Sequence, residues 1–447
     1  MNAKDIDPAT AADKFIKQNL SDGKPRIAFW SGGFLYWTKG RYIHLPNSEI
    51  KAKLVLSLNR NYCKVKAATI TDVMEHVRAL SIVSTQVQPP SWLCSHSWKP
   101  EDLIATENSI VHLPSFIDGE PQYSITSTPS LFTTCALDYK FEKSNPDCPG
   151  WKAFLSQLWP DDPQSIDVLQ EWFGYSLTPD TSQQKILMVI GPRRSGKGTI
   201  ARVLRSVVGE GNVCGPTLSS LQTNFGLWPL LGKTVAIIND ARLGGRADQA
   251  IITERLLSIS GEDAQTIDRK NMEPVTTKLT SRFTIISNEL PRLQDSSGAL
   301  SGRMILLRMT ETFYGREDRS LSDKLTHERA GILHWAIDGW KRLRANGHFT
   351  QPDSGQDLMD QLNELSSPIL AFSEQRCMVG PEYRTSISDI YKAWCSWCEE
   401  YGREPTNQQI FGRDLRALHQ RIRVVQVTVG SHRERFYEGI GVHDGDF

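Results

Sequence analysis

Apolar residues fall along this chain in three patterns, and each predicts a different element. Ile166, Leu169, Trp172, Phe173 and Leu177 recur three and four positions apart, which predicts a helix over residues 163–177 with Ser165 as its amino-terminal cap. Similar spacing predicts helices over residues 71–82, 331–343, 386–401 and 407–419. In the 331–343 helix the inward face is Leu333, Ala336, Trp340 and Leu343. Short apolar runs at 185–190, 234–238, 282–288 and 304–307 lack the helical period and fit strands buried on both faces of a parallel sheet. Mixed aromatic segments at 26–30, 34–37 and 41–44, separated by Ser31-Gly32-Gly33 and Lys39-Gly40, predict a short β-meander. Residues 423–428 and 435–437 predict a hairpin.

These elements divide the chain. Residues 1–115 read as a small α+β domain whose aromatics Trp30, Tyr36 and Trp37 belong to its core. Residues 116–180 are a connector and helical lead-in, with 116–150 rich in Pro, Ser and Thr and irregular. Residues 181–350 carry the apolar strands and form an α/β domain. Residues 351–447 hold a linker and a carboxyl-terminal unit, the Gly/Pro/Asp-rich stretch running over 346–355. The order helix, helix, hairpin in that unit is the order of a winged helix-turn-helix. Residues 411–435 carry six arginines against Asp414 and Glu434, which predicts a phosphate-contacting face or the solvated surface of a protein-docking module.

Composition narrows the classes. The chain has 447 residues, with 51 Lys and Arg against 51 Asp and Glu, so any contact with nucleic acid comes from local patches. No apolar run approaches the roughly 20 residues that span a membrane. The first residues are polar and mixed in charge, a leader without the pattern of a signal peptide, and a cytoplasmic protein is expected. One C-x-x-C pair, Cys395 and Cys398, has no second pair to complete a zinc site and reads as two thiols on an aromatic helix.

The strand over 185–190 runs into Gly191, Pro192, Arg193, Arg194, Ser195, Gly196, Lys197, Gly198 and Thr199, and a helix-like run follows. Strand, glycine loop and helix in that order make a phosphate-binding loop. Glycines let backbone N–H groups close around phosphate oxygens, and the helix amino terminus favours negative charge. Lys197 reaches the β- and γ-phosphates. A Ser or Thr that meets Mg²⁺ usually follows the lysine; here Gly198 intervenes, leaving Thr199 as the hydroxyl candidate, an order also met in nucleotide kinases. Two further strands end in polar residues, Asn239-Asp240 and Asn288. An acid there suits Mg²⁺ or an attacking water, and an amide can position that water. Arg303 precedes the next strand, placed to reach across an edge to a neighbouring subunit's nucleotide.

On these residues the chain resembles the superfamily 3 helicases, in particular the helicase part of the phage/plasmid and poxvirus-type primase–helicases. The resembling stretches are 191–199, 225–233, 235–242, 260–263, 267–270, 287–291 and 301–303, within a likeness over about residues 85–440. The resemblance implies an AAA+-like P-loop ATPase core over 181–350, with a winged helix at the carboxyl terminus. It implies ATP and Mg²⁺ as cofactors and a homo-oligomeric ring, usually a hexamer, around single-stranded or forked DNA. By position it makes Lys197 the phosphate lysine, Asp240 the Walker B acid, Asn288 the sensor and Arg303 the arginine finger, with Arg292 and Arg242 as alternatives. It places a pore hairpin over 265–278, with Arg269 and Lys270 near its tip to track the DNA backbone. Whether Asp240 holds Mg²⁺ or acts as general base stays open. Relatives carry a primase module upstream; no metal cluster is legible in residues 1–150, so the expectation is a helicase alone, a fragment of a longer primase–helicase, or a partner of a separate primase. Two alternatives remain: a DNA-binding ATPase that loads or remodels without unwinding, and a nucleotide kinase.

Overall fold

The computed structural model describes residues 6–144, 146–243, 248–270, 272–291, 293–295, 298–429 and 432–443. The first element among the described residues is a helix within the segment read as a polar leader. α1 (Pro8–Gln18) is capped by Asp7, which accepts from the Thr10 N–H, and buries Ala11, Ala12, Phe15 and Ile16. The meander follows as β1 (Ile27–Trp30), β2 (Gly33–Thr38) and β3 (Arg41–Leu45), antiparallel in that order. Helices α2 (Asn47–Asn61) and α3 (Ala67–Leu80) complete a core of Phe15, Ile27, Phe34, Ile50, Leu54, Val73 and Val77. Trp37 is buried and Trp30 half-buried, its indole N–H bonded to the Val87 carbonyl at 2.9 Å.

The stretch 116–150, expected to be irregular, contributes one strand, Ser124–Thr126, to a small sheet whose other two strands precede it. β4 (Leu103–Ala105), β5 (Ser109–His112) and β6 (Ser124–Thr126) form a small antiparallel sheet. Phe132, fully buried, meets Trp30 and Tyr42 edge-on at 5.7 and 5.2 Å. Nearby Ser and Thr residues satisfy local backbone: Thr106 Oγ1 accepts from the Ser109 N–H, and Ser127 Oγ donates to the Thr106 carbonyl.

α4 (Pro149–Leu158) and α5 (Pro163–Tyr175) lead into the central layer. The cap of α5 is Asp162, accepting from the Ser165 N–H at 3.0 Å, so Ser165 is the capped residue and not the cap. Then come β7 (Ile186–Ile190), α6 (Lys197–Val208), β8 (Val213–Cys214), β9 (Val235–Asn239), α7 (Gln249–Ser260), the hairpin β10 (Ala264–Arg269) and β11 (Met272–Lys278), β12 (Arg282–Ser287), α8 (Ala299–Arg303), β13 (Met304–Arg308) and α9 (Arg329–Asn346). Five of these strands form one parallel sheet in the order β8-β9-β12-β7-β13. Alternation along each strand splits the core into two layers. Leu187, Val189 and Ile237 face a layer with Trp151, Trp172, Leu204 and Trp335 from α4, α5, α6 and α9. Ile186, Met188, Ile190 and Ile238 face the layer of Ile252 and Leu256 from α7, together with Ile267 of the hairpin.

The remaining elements are α10 (Gln356–Ser366), α11 (Pro368–Arg376), β14 (Cys377–Ser386), α12 (Ile387–Glu400), α13 (Gln408–Leu418), β15 (Arg423–Val429) and β16 (His432–Val442). The expected hairpin β15–β16 is antiparallel, and β14 joins its other side. Phe372, Trp394, Trp397, Phe411 and Tyr437 form the core of this unit, which also buries Cys398. No helix among the described residues is long and apolar enough to cross a membrane.

α5 and α9 cross at close range. A Cβ on Gly174 would lie 2.3 Å from the Ala336 carbonyl oxygen, and one on Gly339 would lie 2.2 Å from that of Gln170. Beside it Glu171 is fully buried and accepts from Arg342 Nε at 2.8 Å and from the Thr350 N–H and hydroxyl at 2.9 and 2.8 Å. Mid-helix Gly→Ala ordinarily stabilises by about 1 kcal/mol. Here the obstacle is backbone, which cannot rotate away, and overpacking costs about 1–3 kcal/mol or more. Gly339→Ala is therefore expected to lower stability by about 2 kcal/mol. A urea midpoint that falls checks this; a midpoint that rises means the two helices can separate freely.

Candidate functional site

β7 is paired on both sides and buried throughout, so its carboxyl end is where polar chemistry begins. The loop leaves it at Gly191, where a Cβ would meet the Met309 carbonyl oxygen at 2.6 Å. It re-enters helix through Gly196, whose φ of +95° is a left-handed conformation natural to glycine. Lys197 opens α6 and is 7% exposed. Its ammonium donates to the carbonyls of Gly191 and Pro192 at 2.7 and 2.6 Å and to Ser195 Oγ at 3.1 Å. Burial holds its pKa below the usual lysine value. Thr199 lies in the first turn of α6, and its Oγ1 accepts from Arg202 Nη2 at 3.1 Å.

The segment after β13 arches over this loop. Thr312 Oγ1 donates to the Arg193 carbonyl at 3.0 Å, the Phe313 N–H donates to the Arg194 carbonyl at 2.9 Å, and Glu317 meets Arg194 at 3.6 Å. Between arch and loop is a cleft of about 670 Å³ whose walls include residues 193–199 and Asn288. Asn288 follows β12, the immediate neighbour of β7. The cleft brings in three arginines that the sequence reading passed over, Arg202, Arg316 and Arg319. The signal for the last two was a charged run, 316–319, separated by seven residues from the end of an apolar strand.

Asp240 follows β9, one strand further out, and does not line this cleft. Its φ is +67°, and its N–H donates to the Ile286 carbonyl at 2.8 Å. The carboxylate is held by Arg242 Nε at 2.8 and 2.9 Å, with a further bond from Nη2. Those bonds, with a lesser pull from the charge of Arg193, hold its pKa below the usual carboxylate value.

Arg303 closes α8, immediately before β13. Its Nη1 donates to the Leu257 carbonyl at 2.6 Å and to Ser260 Oγ at 3.1 Å, so the guanidinium caps the carboxyl end of α7 in its own chain. A cation is favoured there because it meets orphan carbonyls and the negative end of the helix dipole. Of the alternative fingers, Arg242 is engaged by Asp240, and Arg292 lies outside the described residues.

The hairpin over the expected pore residues is present, with Ile267 opposite Val275 and Arg269 opposite Met272. Arg269 does not stand free at its tip. Its Nη2 donates to the Ser31 carbonyl at 2.8 Å, on the β1–β2 turn, and Nε and Nη2 both donate to the Glu273 carbonyl. Burial lowers its pKa. Lys270 is exposed.

Residues 189–303 match the profile of a family of unknown function, DUF5906. That stretch holds Lys197, Asp240, Arg269, Lys270, Asn288 and Arg303. Two solved structures resemble the whole chain. One is the A form apo structure of the NrS-1 C terminal region, 12% identical with a TM-score of 0.50, covering 98% of this chain and 100% of that one. Another is the apo structure of the NrS-1 C terminal region 305–718, 13% identical with a TM-score of 0.51 and the same coverage. At such identities the likeness is one of fold.

The Asp240–Arg242 pair is the most readily tested contact of the site. Arg242→Ala is expected to return the Asp240 pKa upward, towards the ordinary carboxylate value, because its principal stabilising donor is gone. A carbonyl-carbon NMR titration of selectively labelled protein reads this; an unchanged pKa would assign the depression to Arg193 and the loop.

Proposed function

We propose that this chain is an ATP-driven, ring-forming DNA helicase acting in the replication of a phage, plasmid or other mobile element. The observation that carries the reading is the convergence at three neighbouring parallel strand ends. β7 leads into the glycine loop and Lys197, β12 beside it into Asn288, and β9 beside that into Asp240. In open α/β sheets ligands bind outside the carboxyl ends of the strands, where strand order reverses, and β7 lies between β12 and β13 at such a place. The sheet and its helices are read as an AAA+-like P-loop core.

The residues at the loop suit a polyphosphate. Glycine at 191 and 196 lets the backbone pass where a side chain would collide, and Lys197, Arg202, Arg316 and Arg319 bring positive charge to one cleft. Mg²⁺, when bound, would neutralise phosphate charge, with Thr199 and Asp240 the groups to hold it. Asp240 would exchange Arg242 for that role. Lys197 would exchange the loop carbonyls for phosphate oxygens, and Asn288 would orient a water in the cleft.

DNA contact is read at two places. Lys270 and Arg269 lie on the hairpin between α7 and β12. The carboxyl-terminal unit, read as a winged helix, exposes Arg413, Arg416, Arg421, Arg423, Arg433 and Arg435. Such contacts meet phosphate and carry no sequence preference.

Unwinding of a forked duplex with ATP is the direct test. Lys197→Ala is expected to abolish ATP turnover in a protein that still folds, and wild-type turnover in that variant would overturn the reading. ATP hydrolysis stimulated by single-stranded DNA without strand separation would move it to an ATPase that loads or remodels.

Arg303 tests the ring. If it serves a neighbour's nucleotide, Arg303→Ala loses on the order of 10³-fold in hydrolysis while binding ATP. Rings mixed from Arg303→Ala and Lys197→Ala subunits then regain part of the turnover, since some interfaces join an intact lysine to an intact arginine. Co-assembly without recovery would leave Arg303 as the cap of α7 alone.

A further inference from the structure

A second cleft, of about 440 Å³, lies between the amino-terminal meander and the β10–β11 hairpin. Its size falls within the range of small-ligand sites, roughly 300–1,000 Å³. Trp30 and Arg41 come from the meander, Trp228 and Lys233 from the segment before β9, and Arg269 and Lys278 from the hairpin. Among the described residues no carboxylate lines it. In a chain whose acids and bases number 51 each, four Arg and Lys on one concavity are a local excess.

Among the described residues only one of the four is neutralised by an ion pair. Lys278 is paired with Glu262 at 2.6 Å. The other three cations rest on neutral oxygens: Arg41 on Asn212 Oδ1 at 3.0 Å, Lys233 on the Gly211 carbonyl at 2.6 Å, and Arg269 on the carbonyls of Ser31 and Glu273. Among the described residues none of the three is in an ion pair. Like charges held in one cleft by backbone and amide oxygens repel each other and favour an incoming anion. His44 lines the same wall, and burial together with the charge of Arg269 holds its pKa down, so it adds hydrogen bonding there but no further charge near neutral pH.

The aromatic lining supplies the second half of a ligand. Trp228 lines the cleft and is 39% exposed, so its indole is open to an incoming ring. Trp30 is fixed beside the cleft by its bond to Val87 and its contact with Phe132. A flat ring with cations around it is the lining that takes a base and its phosphate together.

We propose that this cleft seats a nucleotide unit, its base against Trp228 and its phosphate among Arg41, Lys233 and Arg269. The source of the unit is a single strand or a free nucleotide; the strand rests on the DNA reading above, while the lining stands without it. Seated there, a strand spans the amino-terminal unit and the hairpin, and Arg269 contacts it from within the cleft.

The test uses the full chain, without ATP, and a labelled oligothymidylate of about eight nucleotides. Binding is read by anisotropy over a range of salt. Trp228→Ala is expected to weaken binding about tenfold at every salt concentration. Lys233→Gln is expected to weaken it and to make the salt slope shallower by about one. Trp228→Tyr keeps a stacking ring and is expected to stay within a few-fold of wild type, which separates loss of stacking from loss of fold; circular dichroism checks the fold of each. Wild-type binding that neither Trp228→Ala nor Lys233→Gln changes overturns the cleft and leaves the DNA reading intact. A wild-type chain that binds no oligonucleotide overturns the DNA reading. In that case thymidine monophosphate retained in equilibrium dialysis by wild type, and lost with Trp228→Ala, assigns the cleft to free nucleotides; no retention overturns the cleft as well.

Discussion

A strand hydrogen-bonded on both edges and buried on both faces has no place for a polar side chain. β7 is such a strand; β12 beside it takes buried polar side chains with bonded partners, Thr284 Oγ1 accepting from Trp172 Nε1 and Arg282 donating to the Thr178 carbonyl. The peptide groups of β7 pair with neighbours on both edges, and each of its side chains joins one of two apolar layers. Chemistry is therefore expelled to the strand ends. Because the strands run parallel, those ends lie on one side of the sheet, where the glycine loop and Asn288 border one cleft and Asp240 follows one strand further out. The register fixes the spacing: Ile190 stands opposite Ser287 on β12, and Asn239 opposite Ile286.

The same constraint explains what was legible in the sequence. Strands buried on both faces read as plain apolar runs, and all four long ones fell where expected. Helices with one apolar stripe were clear at α3, α5, α9, α12 and α13, while α2 and α7 went unread although Ile50, Leu54 and Leu58, and Ile252, Leu256 and Ile259, are buried along them. Elements with weaker signals were missed for physical reasons. α1 is short, and two of its four buried residues are alanines, which register weakly as apolar. β14 contains Gly380 and Pro381, and its pairing slips between Val379 and Arg384. The cap of α5 was misplaced by three positions because Ser165 and Asp162 are both good caps, and only the geometry chooses.

Site residues were legible by type but not by partner. Arg269 finds the carbonyl of Ser31, 238 positions away, and Arg303 finds that of Leu257, 46 away. Neither pairing leaves a mark in local sequence, because a backbone carbonyl is present at every residue. Lys197, Asp240, Arg269 and Arg303 thus each hold an intrachain partner that the proposed motor would have to exchange. The Asp240–Arg242 pair lies in solvent, where ion pairs contribute little, so that exchange is the easiest of the four. Lys197 and Arg269 are more buried and give up directional bonds to neutral oxygens, which makes their exchange the more selective step.

The stretch over 346–355 has the composition of a slack tether, yet little of it is slack. Thr350 is bound through its N–H and its hydroxyl to the buried Glu171, the Asp353 N–H donates to Gln164 Oε1, and Ser354 Oγ donates to Asp162 at 2.5 Å. α10 continues the anchorage, burying Leu358 and Leu362 against the sheet. A flexible linker stores motion as entropy and isolates what it joins. This one is moored along α5 and then held in the core, so the carboxyl-terminal unit is joined to the sheet by a bonded strut and not by a slack tether.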